Sequence, residues 1–326
     1  GILTNTRDVR SNLVLLGDKR ILFSPSENSF LMYQIYGKSW AVLGNPVGNQ
    51  AEFSDLVWSF RALCDRYGGW PVFYLVDGNQ LSLYKDFNLS YEHLGDDGLI
   101  SLKNFSFSES LAPELQHIYQ QFQTTGAEFE VVEGDALDRL MPDLETVSNS
   151  WLAVPDNNEH GFLNGFFDPY YIKNFACAVI RLNHRVIAFA VILETSEQQE
   201  VGVDLMRFDQ QAPANSMDFL MIELIQLKKQ QGYQRVNLGL APPSKDLDHS
   251  LTPLLNRVGE FMYQSTQTAD TMDSDAHRQW MEMYHPVWSP KYLVSPGGTK
   301  TNRILRDLTR LSFPKTIQMR SKSNKT

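Results

Sequence analysis

The sequence predicts an α/β (α+β) fold built as two similar halves in tandem, and three observations predict it. Short apolar, β-branched and aromatic runs set off by Gly, Pro and Asn turns mark strand meanders. Two longer stretches, residues 51–67 and 216–231, carry apolar side chains at helical spacing or good helix formers. The order meander, helix, strand then occurs twice along 326 residues, a length that suits two domains.

The elements follow in order. Strands are expected at 13–16, 20–23, 30–36 and 40–43, divided by Gly17-Asp18, the 25–28 segment and Gly37-Lys38, and the meander closes on Gly44-Asn45-Pro46-Val47-Gly48. In the helix 51–67, Phe53, Leu56, Val57, Phe60 and Cys64 share one face, and Gly68-Gly69 ends it. The run 71–76, PVFYLV, is apolar throughout, as a central strand is. A short helix at 81–87 and strands at 91–94 and 99–104 complete a first domain, residues 1–107. Ser108 or Ser110 caps a connecting helix, 108–126, stopped by Gly126. The second domain, 127–326, opens with a strand at 128–133 and a helix from Asp135, and a helix bearing Val147 and Trp151 leads into a polar loop, 153–169. A helical turn at 170–173 precedes a hairpin, 176–182 and 186–193, across Asn183-His184. The strand 201–208, the helix 216–231 and the strand 235–240 follow, the last ending in Pro242-Pro243-Ser244.

Composition narrows the function. With 42% hydrophobic and 12% aromatic residues the chain buries a sizeable core. Its two cysteines, Cys64 and Cys177, sit in an amphipathic and an apolar segment, so they are expected as small buried residues of a reducing compartment. Neither they nor the seven histidines show metal spacing, so no metal is expected. No run approaches the roughly 18 apolar residues of a membrane span, and no signal peptide precedes the first strand, so the chain is expected to be soluble; opening at Gly1 in mid-pattern, it is expected to be a piece of something longer. Net charge is -9, yet the segment from Lys300 onward carries eight basic residues against Asp307 alone. That tail is the place for phosphate contacts, unless it is a plain solvated terminus.

The strand Val203-Asp204-Leu205-Met206-Arg207-Phe208 is the candidate site, because an apolar strand has no packing reason to hold an acid and a base. Residues three apart on a strand face opposite ways, so Asp204 and Arg207 serve one site only if the strand bulges or splays. The plain alternative is a buried ion pair or hydrogen bonds to nearby loops. Meander, helix and strand are also the plan of the GCN5-related N-acetyltransferase fold, whose coenzyme A turn is glycine-rich. Here the corresponding loop, 209–216, has no glycine. That argues against coenzyme A, and no cofactor is expected.

Taken together, Gly17-Asp18-Lys19, Gly44-Asn45-Pro46-Val47-Gly48, the 102–107 segment, Trp151, Gly161-Phe162, Gly165-Phe166-Phe167, the 203–208 strand, Met217-Asp218-Phe219-Leu220, the 237–244 segment and Pro286-Val287-Trp288-Ser289-Pro290-Lys291-Tyr292-Leu293 carry a family likeness. The chain resembles the C-terminal catalytic part of the bacterial aminoacyl-phosphatidylglycerol synthases, the multiple peptide resistance factor family. The resemblance implies two GCN5-related N-acetyltransferase-like domains in tandem, and an aminoacyl group, lysyl or alanyl, moved from aminoacyl-tRNA to phosphatidylglycerol. It also implies a cytoplasmic position below an N-terminal transmembrane flippase part in the bacterial inner membrane. By the same resemblance Asp204 and Arg207 are the catalytic pair, Asn237, Gly239 and Ser244 are wall residues, and Glu260 is a candidate for the substrate amine. Met217 and Asp218 are read as an ordinary helix start with an acid in its first turn.

The departures bear on the donor. The family's connecting helix and the segment before its final Pro-x-Trp are usually basic, whereas 108–125 has no Lys or Arg and 278–285 has Arg278 alone, and Asn45 stands where an aspartate is usual. Two alternatives therefore stand beside lipid aminoacylation. One is a diverged enzyme that hydrolyses aminoacyl lipids or uses a donor other than tRNA. The other is a non-catalytic anionic-lipid-binding module whose 302–311 helix lies in the interface with Ile304, Leu305, Leu308 and Leu311 toward lipid.

Overall fold

The structure, a computed structural model, describes residues 1–154, 157–243 and 274–312. The first half holds β1 (Arg20–Phe23), β2 (Ser29–Tyr36), β3 (Ser39–Leu43), β4 (Val47–Gly48), α1 (Phe53–Arg66), β5 (Trp70–Asp77) and β6 (Ser90–Ser101). Then come α2 (Pro113–Gln123), β7 (Glu128–Val132), α3 (Gly134–Leu152), β8 (Ala176–Leu182), β9 (Arg185–Glu194), β10 (Glu200–Phe208), α4 (Ser216–Gln230) and β11 (Arg235–Ala241). After the next described residues, α5 (Ser274–Glu282), β12 (Val287–Ser295) and α6 (Thr301–Ser312) end the chain's described part.

Among the described residues these strands form one sheet in the order β1-β2-β3-β5-β12-β6-β11-β10-β9-β8-β7, with β4 paired to β2. The pairs β3/β5 and β10/β11 are parallel and the others antiparallel. A parallel pair needs a crossover, and the two long helices α1 and α4 supply them. Both faces of the sheet are covered, as the period-two alternation of the strands requires. On β9, Phe189, Val191 and Leu193 face a core shared with Leu137 and Leu144 of α3 and Ile304 and Leu308 of α6. Their neighbours Ala188, Ala190 and Ile192 face a second core with Phe122 of α2, Leu220 and Leu224 of α4 and Met281 of α5. The α/β class holds, with β12 drawn from the far end of the chain and placed between β5 and β6.

Four local expectations are corrected. Residues 13–16 are not a strand but the end of a 3-10 helix, Val9–Leu16, which Asp8 caps through the Arg10 N–H and Gly17 closes at φ 74°. Its buried apolar residues, Val9, Leu13 and Leu16, recur at helical spacing. The two strands at 91–94 and 99–104 are one, β6: Gly95-Asp96-Asp97-Gly98 has turn composition, yet the strand runs straight through it because β11 and β12 pair with it on either side. The connecting helix starts at Pro113, whose fixed φ suits a first helical position, and not at Ser108 or Ser110. Asp218 does stand in the first turn of α4, as expected, and it is also buried, its Oδ1 accepting from Trp280 Nε1 at 2.7 Å and the Tyr284 hydroxyl at 3.3 Å. Finally, Ile304, Leu305 and Leu308 of α6 are fully buried against the sheet, so the helix has no apolar face to offer a lipid interface. Its exposed residues are Asn302, Arg303, Arg306 and Arg310. Among the described residues no helix is long and apolar enough to cross a membrane.

Candidate functional site

The strands β10 and β11 pair only over Glu200, Val201 and Gly202 with Arg235, Val236 and Asn237, and then separate. The gap opens between Val203–Met206 on one side and Leu238–Leu240 on the other, and both line one cavity of about 110 Å³. On its other edge β10 loses register with β9 between Asp204 and Arg207, and Leu205 sits at φ 50°. This bulge is the feature the spacing of the acid and the base required.

Asp204 faces the cavity from the bulge. Its carboxylate accepts from the Gly165 N–H at 3.1 Å through both oxygens, and its Oδ2 accepts from the Tyr171 hydroxyl at 2.8 Å. A Cβ on Gly165 would lie 2.2 Å from Asp204 Oδ2, so only glycine lets the loop approach this closely. Burial pushes the carboxyl above its usual range, against the hydrogen bonds from Tyr171 and Gly165 and the charge of Arg207. The same contact with Asp204, on top of burial, drives the Tyr171 hydroxyl well above the usual tyrosine value, which keeps it a donor.

Arg207 has other company. Its Nη1 donates to Ser148 Oγ at 2.5 Å and Glu159 Oε1 at 3.0 Å, and its Nη2 to Glu159 Oε2 at 2.6 Å. The guanidinium lies 4.8 Å from the Trp151 ring. This bidentate pair is buried on the Arg207 side and neutralises it, so for Arg207 the plain alternative of a buried ion pair is what is found. Arg207 does not line the cavity, whereas Asp204, Asn237 and Gly239 do. Ser244 and Glu260 lie outside the described residues.

The wall opposite Asp204 is organised by charge. Asn237 Nδ2 donates to Asp97 Oδ2 at 3.3 Å and to Glu200 Oε1 at 3.2 Å, and its Oδ1 accepts from the Gly239 N–H at 2.8 Å. Gly239 has φ 98°, a conformation that favours glycine. Asp97 takes a two-point contact from Arg10, at 2.7 and 2.5 Å, and lies 3.1 Å from Lys291 Nζ, which also pairs with Asp77. Burial by itself would raise the Asp97 carboxyl, but Arg10 and Lys291 hold it well below the usual carboxylate range. Glu200 pairs with Arg235 at 2.6 Å. His277, also on the cavity, is pushed down to about 4 by burial, so it is neutral at pH 7.

Sequence reasoning missed Arg10, Asp97, Asn164 and His277, all of which line the cavity or hold its wall. Arg10 precedes the first expected strand, 13–16, and Asp97 falls between the expected strands 91–94 and 99–104. The available signal was the doubled acid Asp96-Asp97 between two apolar runs of a strand-rich segment.

Chemically, the site offers one acid that among the described residues forms no direct ion pair, with Arg207 and Lys19 acting on it only as nearby charges; it faces a cavity the size of an amino-acid side chain, beside a wall whose charges cancel. Cys64 and Cys177 are buried with thiols pushed up to about 12, so neither is a ready thiolate.

Residues 2–295 match the family described as phosphatidylglycerol lysyltransferase, C-terminal. A solved structure of the C-terminal domain of a putative lysylphosphatidylglycerol synthetase from Agrobacterium fabrum is 34% identical, covers 96% of this chain and 95% of its own, and superposes with a TM-score of 0.88. The structure of L-PGS from Bacillus licheniformis is 30% identical over 93% of this chain and 92% of its own, with a TM-score of 0.81. The phosphatidylglycerol lysyltransferase of Staphylococcus xylosus is 28% identical over 295 residues, which is 87% of this chain and 33% of that protein. The chain thus spans about a third of the length of the curated relatives it matches. FemX, at 6% identity and a TM-score of 0.57, shares the fold alone.

Proposed function

Because the chain belongs to the family of phosphatidylglycerol lysyltransferase C-terminal domains, we propose that it transfers an aminoacyl group, lysyl or alanyl, from aminoacyl-tRNA to a glycerol hydroxyl of phosphatidylglycerol. The lipid hydroxyl oxygen attacks the ester carbonyl, the bond from that carbonyl to the ribose oxygen breaks, and the hydroxyl proton ends on the ribose oxygen. One ester replaces another, so the site has to position two large substrates and stabilise a transient oxyanion more than to drive the reaction. No covalent enzyme intermediate is needed.

The observation that carries this reading is the environment of Asp204. A buried carboxylate held, among the described residues, by neutral donors from Gly165, Tyr171 and the Leu205 backbone is raised toward protonation and gains most from an arriving cation or proton. The substrate's α-ammonium is such a cation, and the lipid hydroxyl is such a proton source; Asp204 serves one or both. Asn237 and Gly239 form the facing wall. Arg207, spent on Glu159 and Ser148, acts as a positioning residue that fixes the bulge. The product carries an added amine, which lowers the negative charge of the membrane. The remaining two thirds of such a protein would supply the transmembrane part beside which this domain works.

Incubation with charged tRNA and phosphatidylglycerol, read as an amine-bearing lipid, is the test. Absence of lipid product with alanyl-, lysyl- and arginyl-tRNA, with a native membrane part restored, would sink the proposal. Release of free amino acid from aminoacyl lipid in its place would support the hydrolase.

A further inference from the structure

The start of β5 presents an arrangement that the cavity does not use. Three cations converge on one indole: Lys300 Nζ lies 5.6 Å, the Arg303 guanidinium 5.4 Å and Lys38 Nζ 5.9 Å from the centre of the Trp70 ring. All three side chains belong to exposed residues, and among the described residues none is paired with a carboxylate. The one acid of α6, Asp307, is buried and accepts from Ser39 Oγ at 2.7 Å. That bond fastens α6 to β3, and the Trp70 backbone N–H donates to the Lys38 carbonyl at 2.6 Å, so the three cations are held on a built platform. Arg306 and Arg310 continue from Arg303 along the same exposed helix face at spacings of three and four. The ring quadrupole offsets part of the mutual repulsion of the cations, and a polyanion would remove the rest.

We propose that this Trp70-centred patch is a docking surface for the phosphate backbone of the donor RNA, an inference that rests on the tRNA-dependent reading above. It supplies the phosphate contacts that the connecting helix, without a single Lys or Arg from 108 to 125, does not. Cations already occupy the neighbourhood of the indole, so the patch reads phosphates and not bases. Distance favours RNA over a bilayer. Trp70 begins β5 and Leu75 of the same strand lines the cavity, five residues on, which is about 17 Å at the rise of a strand. The acceptor hydroxyl of phosphatidylglycerol sits beside its own phosphate, so a bilayer seated on the patch would leave that hydroxyl far from Asp204. An ester at the end of an RNA strand spans the gap with a few nucleotides while the phosphates behind it meet the patch.

The test measures binding of uncharged bulk tRNA against salt concentration for the wild-type chain and a Lys38→Glu, Lys300→Glu, Arg303→Glu triple variant. The expected result is a slope of log affinity against log salt that falls by roughly 2 to 3, with about 100-fold weaker binding near 0.1 M salt. Lys103→Glu, at an exposed residue just beyond the end of β6, should leave both unchanged. Each single variant, checked for an unaltered melting curve, should lose about one contact's worth of slope, so a misfolded triple variant would not shelter the proposal. A triple variant that keeps the wild-type slope overturns it. So does one that keeps tRNA but loses vesicles containing phosphatidylglycerol, which would make the patch a membrane contact. If the wild-type chain forms no lipid product yet shows this salt dependence, the transfer reading fails while the RNA surface stands; if product forms and the slope is flat, the reverse holds.

Discussion

The two parallel pairs, β3/β5 with α1 and β10/β11 with α4, are the same local construction put to opposite ends. Each has a non-glycine residue in the left-handed region beside its opening, Leu75 at φ 64° and Leu205 at φ 50°. Each presents an acid there, Asp77 and Asp204. In the first half Asp77 is cancelled: Lys291 pairs with it, Asn45 Nδ2 donates to its Oδ2 at 2.6 Å, and its N–H donates to Asn45 Oδ1 at 3.2 Å. In the second half Asp204, among the described residues, is held by backbone N–H groups and a phenol and forms no direct ion pair. The difference lies in what faces the acid, and it separates a carboxylate tied into an ion pair from the one proposed here to meet a substrate.

Replacing the two acids should therefore act in opposite directions. Asp204→Asn is expected to cut lipid aminoacylation by about 10²- to 10⁴-fold, the range of a lost acid-base group. It should also raise the melting temperature at pH 7. The folded carboxyl titrates above its unfolded value, so ionising it costs stability as pH rises through the folded pKa, and the neutral amide avoids that cost. The gain should vanish at a pH below both values. Calorimetry at pH 3 and pH 8 beside a transfer assay would check both; a lower melting temperature for Asp204→Asn at pH 8 would make Asp204 structural like Asp77.

Asp97→Asn sharpens the other side of the contrast. It leaves Arg10 and Lys291 as buried cations short of a counter-charge, and should cost about 3–5 kcal/mol in denaturant unfolding. The folded carboxyl lies below its unfolded value, so its contribution is present above about pH 4 and drains away as pH falls below that. The difference between wild type and Asp97→Asn should thus shrink in acid, where the Asp204→Asn difference also closes but from the opposite sign. Gly165→Ala tests how the available acid is held. Its Cβ would meet Asp204 Oδ2 at 2.2 Å, so loop or carboxylate must shift. Overpacking of this kind costs about 1–3 kcal/mol, and a displaced acid about 100-fold in transfer rate. A variant that loses stability but keeps its rate would show that the Gly165 contact does not position Asp204.

How much of this was legible depended on whether the signal was local. The unit β10-α4-β11 was, because strand alternation, a good helix and a second strand lie within about forty residues, and because Asp204 stands out on an apolar strand. Its bulge was readable only as a condition. Asp97 was hidden by its flanking glycines, which give Gly95-Asp96-Asp97-Gly98 the composition of a turn; only pairing with β11 and β12, distant in sequence, makes it a strand. The partner of Arg207 could not be read, since Glu159 comes from a polar loop 48 residues earlier. Nor did the amphipathic pattern of α6 say whether lipid or β2 and β3 would cover its apolar side, because both satisfy the same periodicity.

The smallest expected effect belongs to Asn45, which stands at the closed opening and keeps Asp77 occupied. Asn45→Asp would set a second carboxylate 2.6 Å from Asp77 Oδ2, a half-buried place where Lys291 already serves two acids. One carboxyl of such a pair must be pushed up, and at pH 7 the repulsion should cost about 1 kcal/mol, since solvent reaches this end of β5. The cost should fade toward pH 4 as the raised group takes its proton, so melting at pH 5 and pH 8 should diverge more for Asn45→Asp than for the wild type. Transfer to phosphatidylglycerol should stay within about twofold, because the altered acid lies at the opening of β3/β5 and not at the splay of β10/β11. A loss of transfer comparable to that of Asp204→Asn would mean that the first opening takes part in the chemistry and that the two halves are not divided into a closed copy and a working one.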